Sequence, residues 1–75
     1  MYKTSYTKEE AEELLHWMDT KPTGTIDLGE GVVIKDIAFF VSQMRDIVKE
    51  RYMNPAFAGQ LEILCRLKEA YKKKE

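Results

Sequence analysis

A chain of 75 residues, 44% apolar and 33% charged, has room for one small domain and is too apolar to remain unfolded. A formal net charge of −1 and a pI of about 5.8 argue against the basic footprint of a nucleic-acid-binding domain. No apolar run approaches the ~20 residues that cross a bilayer, the first residues lack the apolar core of a secretory signal, and the single cysteine, Cys65, excludes an internal disulfide, so the expectation is a cytoplasmic chain that touches no membrane.

The first predicted helix covers residues 7–19. Thr7-Lys8-Glu9-Glu10 fits a capping box, in which the Thr7 hydroxyl and the Glu10 carboxylate satisfy backbone donors reciprocally. Tyr6 and Ala11 suit the accompanying hydrophobic staple. Ala11, Leu14, Leu15 and Met18 recur on one helical face, and Glu9, Glu10, Glu12 and Glu13 place negative charge where the helix dipole favours it. Pro22 disfavours helix at Lys21, so the helix stops by Asp19 or Thr20. His16 lies about 140° from Ala11 and reads as a surface histidine; Trp17 also sits off the main stripe.

Residues 21–35 change character. Lys21-Pro22-Thr23-Gly24 is turn chemistry. Thr25-Ile26-Asp27-Leu28 and Val32-Val33-Ile34 are short β-prone pieces, and Gly29-Glu30-Gly31 between them suits a hairpin turn. An isolated two-stranded hairpin is marginal in water, so residues 25–34 form either a hairpin resting on the helices or an unpaired extended segment.

The second predicted helix covers residues 36–51. Asp36 is the N-cap, and Ile37, Phe40, Val41, Met44, Ile47 and Val48 follow one face. Phe39 breaks the pattern: with Ile37 at zero, its side chain falls at about 200°, opposite the stripe. Two covers suit it. The extended segment Ile26–Ile34 folding back is preferred, because that segment is close in sequence and its own apolar residues need a surface. The other is a second chain, a protein partner or another copy of this one, touching Phe39 together with Trp17.

The third helix is expected over residues 55–71. Asn54 is a preferred N-cap, and Pro55 suits the first helical position because its missing donor is unneeded there. Phe57, Leu61, Leu64 and Tyr71 share a face that Ile63 and Leu67 widen, and Cys65 reads as small core or boundary filler. The tail, residues 72–75, is expected to fray. These elements make a mostly α fold, a small three-helix bundle in a single domain over residues 1–75, with a short extended or β-hairpin insertion between helices 1 and 2.

Chemistry-bearing patterns are sparse. One histidine offers no paired imidazoles for a metal, and no serine has a nucleophile-elbow setting. Asp27, Glu30 and Asp36 lack the dense alternation of oxygen ligands in a calcium loop. Gly29-Glu30-Gly31 is followed by Ile34 where a dinucleotide fingerprint needs its third glycine, and no Lys-Ser or Lys-Thr pair follows. No catalytic residue, metal or cofactor is expected. Residues 1–31 hold three lysines against seven acidic residues, whereas residues 32–75 hold nine basic against six acidic residues. An acidic first helix beside a basic last helix accounts for this split. The alternative is a weak nucleic-acid surface built from Arg66, Lys68, Lys72, Lys73 and Lys74. It is disfavoured, because the first interhelical connection is far longer than a helix-turn-helix allows and Gln60 alone in the first turns of helix 3 suits base reading.

The segments Glu13-Leu14-Leu15-His16-Trp17, Ile26-Asp27-Leu28, Ile34-Lys35-Asp36-Ile37 with Phe39-Phe40-Val41, and Asn54-Pro55-Ala56-Phe57 followed by Leu61, Leu64 and Leu67 resemble a group of short bacterial proteins classed as a domain of unknown function. The resemblance spans most of the chain, rests on apolar spacings plus Trp17 and Asn54-Pro55, and implies a bacterial cytoplasmic protein without supplying catalytic residues. The functional expectation is a non-enzymatic accessory protein that works through protein–protein contact.

Overall fold

The computed structural model describes residues 5–74. Helix α1 spans Lys8–Met18, strands β1 and β2 span Ile26–Gly29 and Val32–Ile34, helix α2 spans Ile37–Glu50, and a 3₁₀ turn over Pro55–Phe57 leads into helix α3, Ala58–Lys74. Three helices with one antiparallel hairpin between the first two make up the architecture of the described residues.

Helices α1 and α2 and the 3₁₀ turn that leads into α3 each start where a capping side chain dictates. Thr7 Oγ1 accepts from the Glu10 amide at 3.2 Å while Glu10 Oε1 accepts from the Thr7 amide at 2.9 Å, a complete capping box. Asp36 Oδ1 accepts from the Phe39 amide at 3.1 Å, and Asn54 Oδ1 from the Ala56 amide at 2.9 Å. These bonds occupy backbone donors that have no partner inside the helix. The end of α1 is tied to α2 by an Arg45–Asp19 ion pair at 2.5 Å.

The hairpin forms because its turn can be closed. Glu30 and Gly31 have φ of 54° and 81°, the double left-handed geometry of a two-residue hairpin turn whose twist matches the strands. Gly29, also at positive φ, sits at a bulge where the pairing shifts after Asp27. The hairpin is pinned to the bundle at both ends. The Ile37 amide donates to the Gly24 carbonyl at 2.9 Å, and Arg66 of α3 donates to the Leu28 carbonyl at 3.0 Å.

The core joins all three helices: Ala11, Leu14, Trp17 and Met18 from α1, Ile37, Val41, Met44 and Val48 from α2, and Leu61, Leu64 and Leu67 from α3, with Tyr6 closing one end. Ile37, Val48 and the three leucines are completely enclosed. Full burial of such side chains contributes roughly 1.5–3 kcal/mol each before entropy is counted.

Several expectations need correction. Trp17, expected off the stripe and available to a partner, is only 8% exposed; its ring meets Tyr71 edge-on with centroids 5.8 Å apart. The hairpin does not cover Phe39, which is 61% exposed; β1 packs on α3 instead. The basic tail does not fray after residue 71, because α3 continues to Lys74; Glu75 lies outside the described residues. The third helix opens as a 3₁₀ turn and becomes α-helical only at Ala58. Phe40, Ile47, Phe57, Ile63 and Tyr71 are half-buried rather than central; Phe57 lies under the Arg51 guanidinium, 5.8 Å from its ring centre.

Candidate functional site

The Asp36 cap fixes the phase of α2. With helix starting at Ile37 and that side chain enclosed, Phe39 must project about 200° away, to the outside. Strand β2 follows its own period of two: Val32 and Ile34 are half-buried and Val33, between them, is 48% exposed. The two periodicities each turn one apolar residue outward, and both residues line a single open groove of about 320 Å³ between β2 and α2. Ile34 and Phe40 complete its apolar lining, and Lys35, Asp36 and Gln43 form its polar edge. An aromatic centre with a polar rim is the anatomy of a protein contact surface. Reading the sequence singled out Phe39 and missed Val33. Its signal was the alternation Val32-Val33-Ile34, which becomes legible only once the strand is known to lie with those neighbours inward.

Of the five basic residues proposed for nucleic acid, the four whose side chains are described are divided between two sides of α3. Arg66 is committed to the Leu28 carbonyl and lies 4.0 Å from Glu30. Lys68 and Lys72 are turned by about 200° and 240° from Arg66 along α3, and they line a cleft of about 580 Å³ whose opposite wall carries Glu9, Glu12, Glu13 and His16. The acidic first helix thus lies beside this face of the basic last helix. Lys73 shares a shallow depression with Arg66, Cys65 and Glu69. The side chain of Lys74 lies outside the described part of the chain.

A third depression, about 430 Å³, has Met18, Pro22 and Val41 on its walls with Lys21 and Arg45 at its margin, the latter paired to Asp19. Among the described residues, no group of three or more His, Cys, Asp or Glu side chains is arranged to hold a metal. His16 is exposed. Cys65 is half-buried and hydrogen-bonds the Tyr6 hydroxyl; burial foremost, then the neighbouring Cys65, Glu62 and Glu10, push the Tyr6 phenol up to about 12. No helix among the described residues is long and apolar enough to cross a membrane.

The chain belongs to the family described as Domain of unknown function (DUF6965), which matches residues 9–73 and so includes all the residues of the groove. No curated protein matches the chain, and no solved structure matches it.

Proposed function

We propose that this chain is a non-enzymatic accessory protein that acts by binding another protein chain through the groove between β2 and α2. One observation carries the reading: Phe39, 61% exposed, stands in the same groove as the exposed Val33. Single exposed apolar residues are ordinary on protein surfaces, but an aromatic and a branched residue from different elements, converging on one depression, form a contiguous apolar feature. Bacterial origin and a cytoplasmic location complete the proposal. The first is supported by the sequence resemblance, and the second by a single cysteine in a small chain that builds its core without disulfides.

Nucleic-acid binding has less support, because the described basic side chains of α3 are divided between two sides: Arg66, which holds the Leu28 carbonyl, shares a depression with Lys73, whereas Lys68 and Lys72 face an acidic wall. The contact reading is tested by photo-cross-linking in the living host from an unnatural residue placed at position 39, compared with one at Lys49. Lys49 is exposed on the same helix, about 15 Å further along at 1.5 Å per residue. The expected result is a discrete adduct from position 39 and none from position 49. Equal labelling from both, or none from either, overturns the proposal.

A further inference from the structure

We infer that the depression between the end of α1, the turn that follows it and α2 binds a small aliphatic carboxylate, an organic monoanion with an apolar tail. This site is separate from the β2–α2 groove and independent of the contact reading. With Ile37 at zero, the α2 residues of the depression fall between about 40° and 140°, whereas Phe39, Phe40 and Gln43 of the groove lie between about 200° and 300°.

Charge selects the ligand. The β2–α2 groove carries Lys35 beside Asp36, the α1–α3 cleft sets glutamates against Lys68 and Lys72, and the shallow depression on α3 has Glu69 beside Arg66 and Lys73. The α1–α2 depression has Lys21 and Arg45 and no acidic side chain on its walls. Asp19, outside that lining, holds one guanidinium nitrogen of Arg45. The pairing fixes the side chain and leaves other N–H groups of the fork for a second acceptor. Among the described residues, none accepts a hydrogen bond from the Lys21 ammonium or from the hydroxyls of Thr23 and Ser42. The rim thus offers donors and, after Asp19 is counted, one positive charge, which matches a single carboxylate. Met18, Pro22 and Val41, all buried, form an apolar floor for the tail. The volume, about 430 Å³, lies within the ~300–1,000 Å³ of small-molecule sites.

The backbone of Lys21 points the same way. Its φ is 57°, the left-handed region in which helices end most easily on glycine. Its amide closes the end of α1 on the Met18 carbonyl at 3.1 Å. A turn built for stability alone takes glycine here. A cationic side chain held at a strained position, on the rim of a depression of one sign, is accounted for by a ligand.

The test is titration of the isotope-labelled chain with sodium octanoate, followed through its amide NMR shifts. The expected result is saturable shifts at Lys21, Thr23, Ser42 and Arg45, with smaller ones at Val33 and Lys35 of the groove. Half-saturation is expected at or below about 5 mM, ordinary for a ligand of about ten heavy atoms. Octanamide, uncharged and of the same size, and acetate, which lacks the tail, each bind at least about tenfold more weakly. Lys21→Gly relieves the left-handed backbone and raises the melting temperature by about 2–6 °C. It also weakens octanoate binding about five- to tenfold through the lost charge. Lys21→Arg keeps the affinity. Ala38→Phe, at an exposed position on the wall, fills the depression and abolishes the localised shifts.

No saturable shift up to about 20 mM octanoate, shifts as large at Val33 and Lys35, or equal affinity for octanamide overturns the inference. So does unchanged binding in Lys21→Gly or Ala38→Phe. A Lys21→Gly chain that loses stability together with binding shows the lysine to be structural and overturns its assignment to a ligand. None of these outcomes bears on the position-39 cross-link, so the two readings fail separately.

Discussion

Trp17 and Phe39 pose the same problem on two sides of the molecule, and the fold resolves it on one side alone. Each is a large aromatic residue displaced from the apolar stripe of its helix. On the α1–α3 side, α3 runs on to Lys74, far enough for Tyr71 to meet the indole edge-on at 5.8 Å. On the α2–hairpin side, the structure nearest in sequence is anchored elsewhere. Arg66 holds the Leu28 carbonyl, and Ile26 and Leu28 pack against the core, so the hairpin leans on α3 and leaves Phe39 uncovered. An off-stripe aromatic is therefore not in itself a sign of a binding surface. What decides is whether another element of the same chain has surface to spare for it.

The contrast is sharpest in stability. Trp17→Ala removes a buried ring and its aromatic partner contact, with an expected loss of about 3–5 kcal/mol by denaturant unfolding. A loss under about 1 kcal/mol contradicts the burial described on the α1–α3 side.

The same side carries a pH signature. The buried Tyr6 phenol, raised to about 12, stays neutral in the folded chain at pH values where the unfolded chain ionises, at about 10. Its contribution is thus complete below about pH 10 and is lost as pH climbs toward 12. Tyr6→Phe is expected to flatten this part of the pH–stability curve relative to the unsubstituted chain. Parallel curves mean that the phenol is not held in its neutral form.

On the hairpin side the effects are smaller. Arg66→Met keeps much of the side chain's apolar bulk but removes the donor to Leu28, at an expected cost of about 1–2 kcal/mol. Amide exchange over residues 26–34 should quicken more than exchange in α2; uniform quickening contradicts a local anchor. Glu30→Asn is expected to stabilise. Glu30 occupies left-handed backbone that disfavours most side chains and that Asn tolerates. Its pairing with Arg66, at 4.0 Å and largely exposed, contributes little. A rise of about 2–6 °C in melting temperature is expected, and a fall contradicts the turn geometry.

Much of this fold was legible from local chemistry. Thr7, Asp36 and Asn54 mark their helix starts through short-range bonds that need no knowledge of the remaining chain, and the two glycines flanking Glu30 announce the hairpin. Tertiary relationships were not legible. Nothing near Trp17 in sequence indicates that Tyr71, 54 positions later, covers it. Likewise, nothing in residues 25–34 says which helix the hairpin rests on, because Arg66 decides that from the far end of the chain. The groove was half legible for the same reason: helical phase alone turns Phe39 outward, while its companionship with Val33 depends on where β2 lies.

The most direct measurement is thermal unfolding of the unsubstituted chain and of Phe39→Ser, side by side in dilute solution. The two midpoints should agree to within about 2–4 °C, since the ring is exposed in its own chain. A Phe39→Ser midpoint lowered by more than this contradicts the account, because it shows that Phe39 is covered within its own chain.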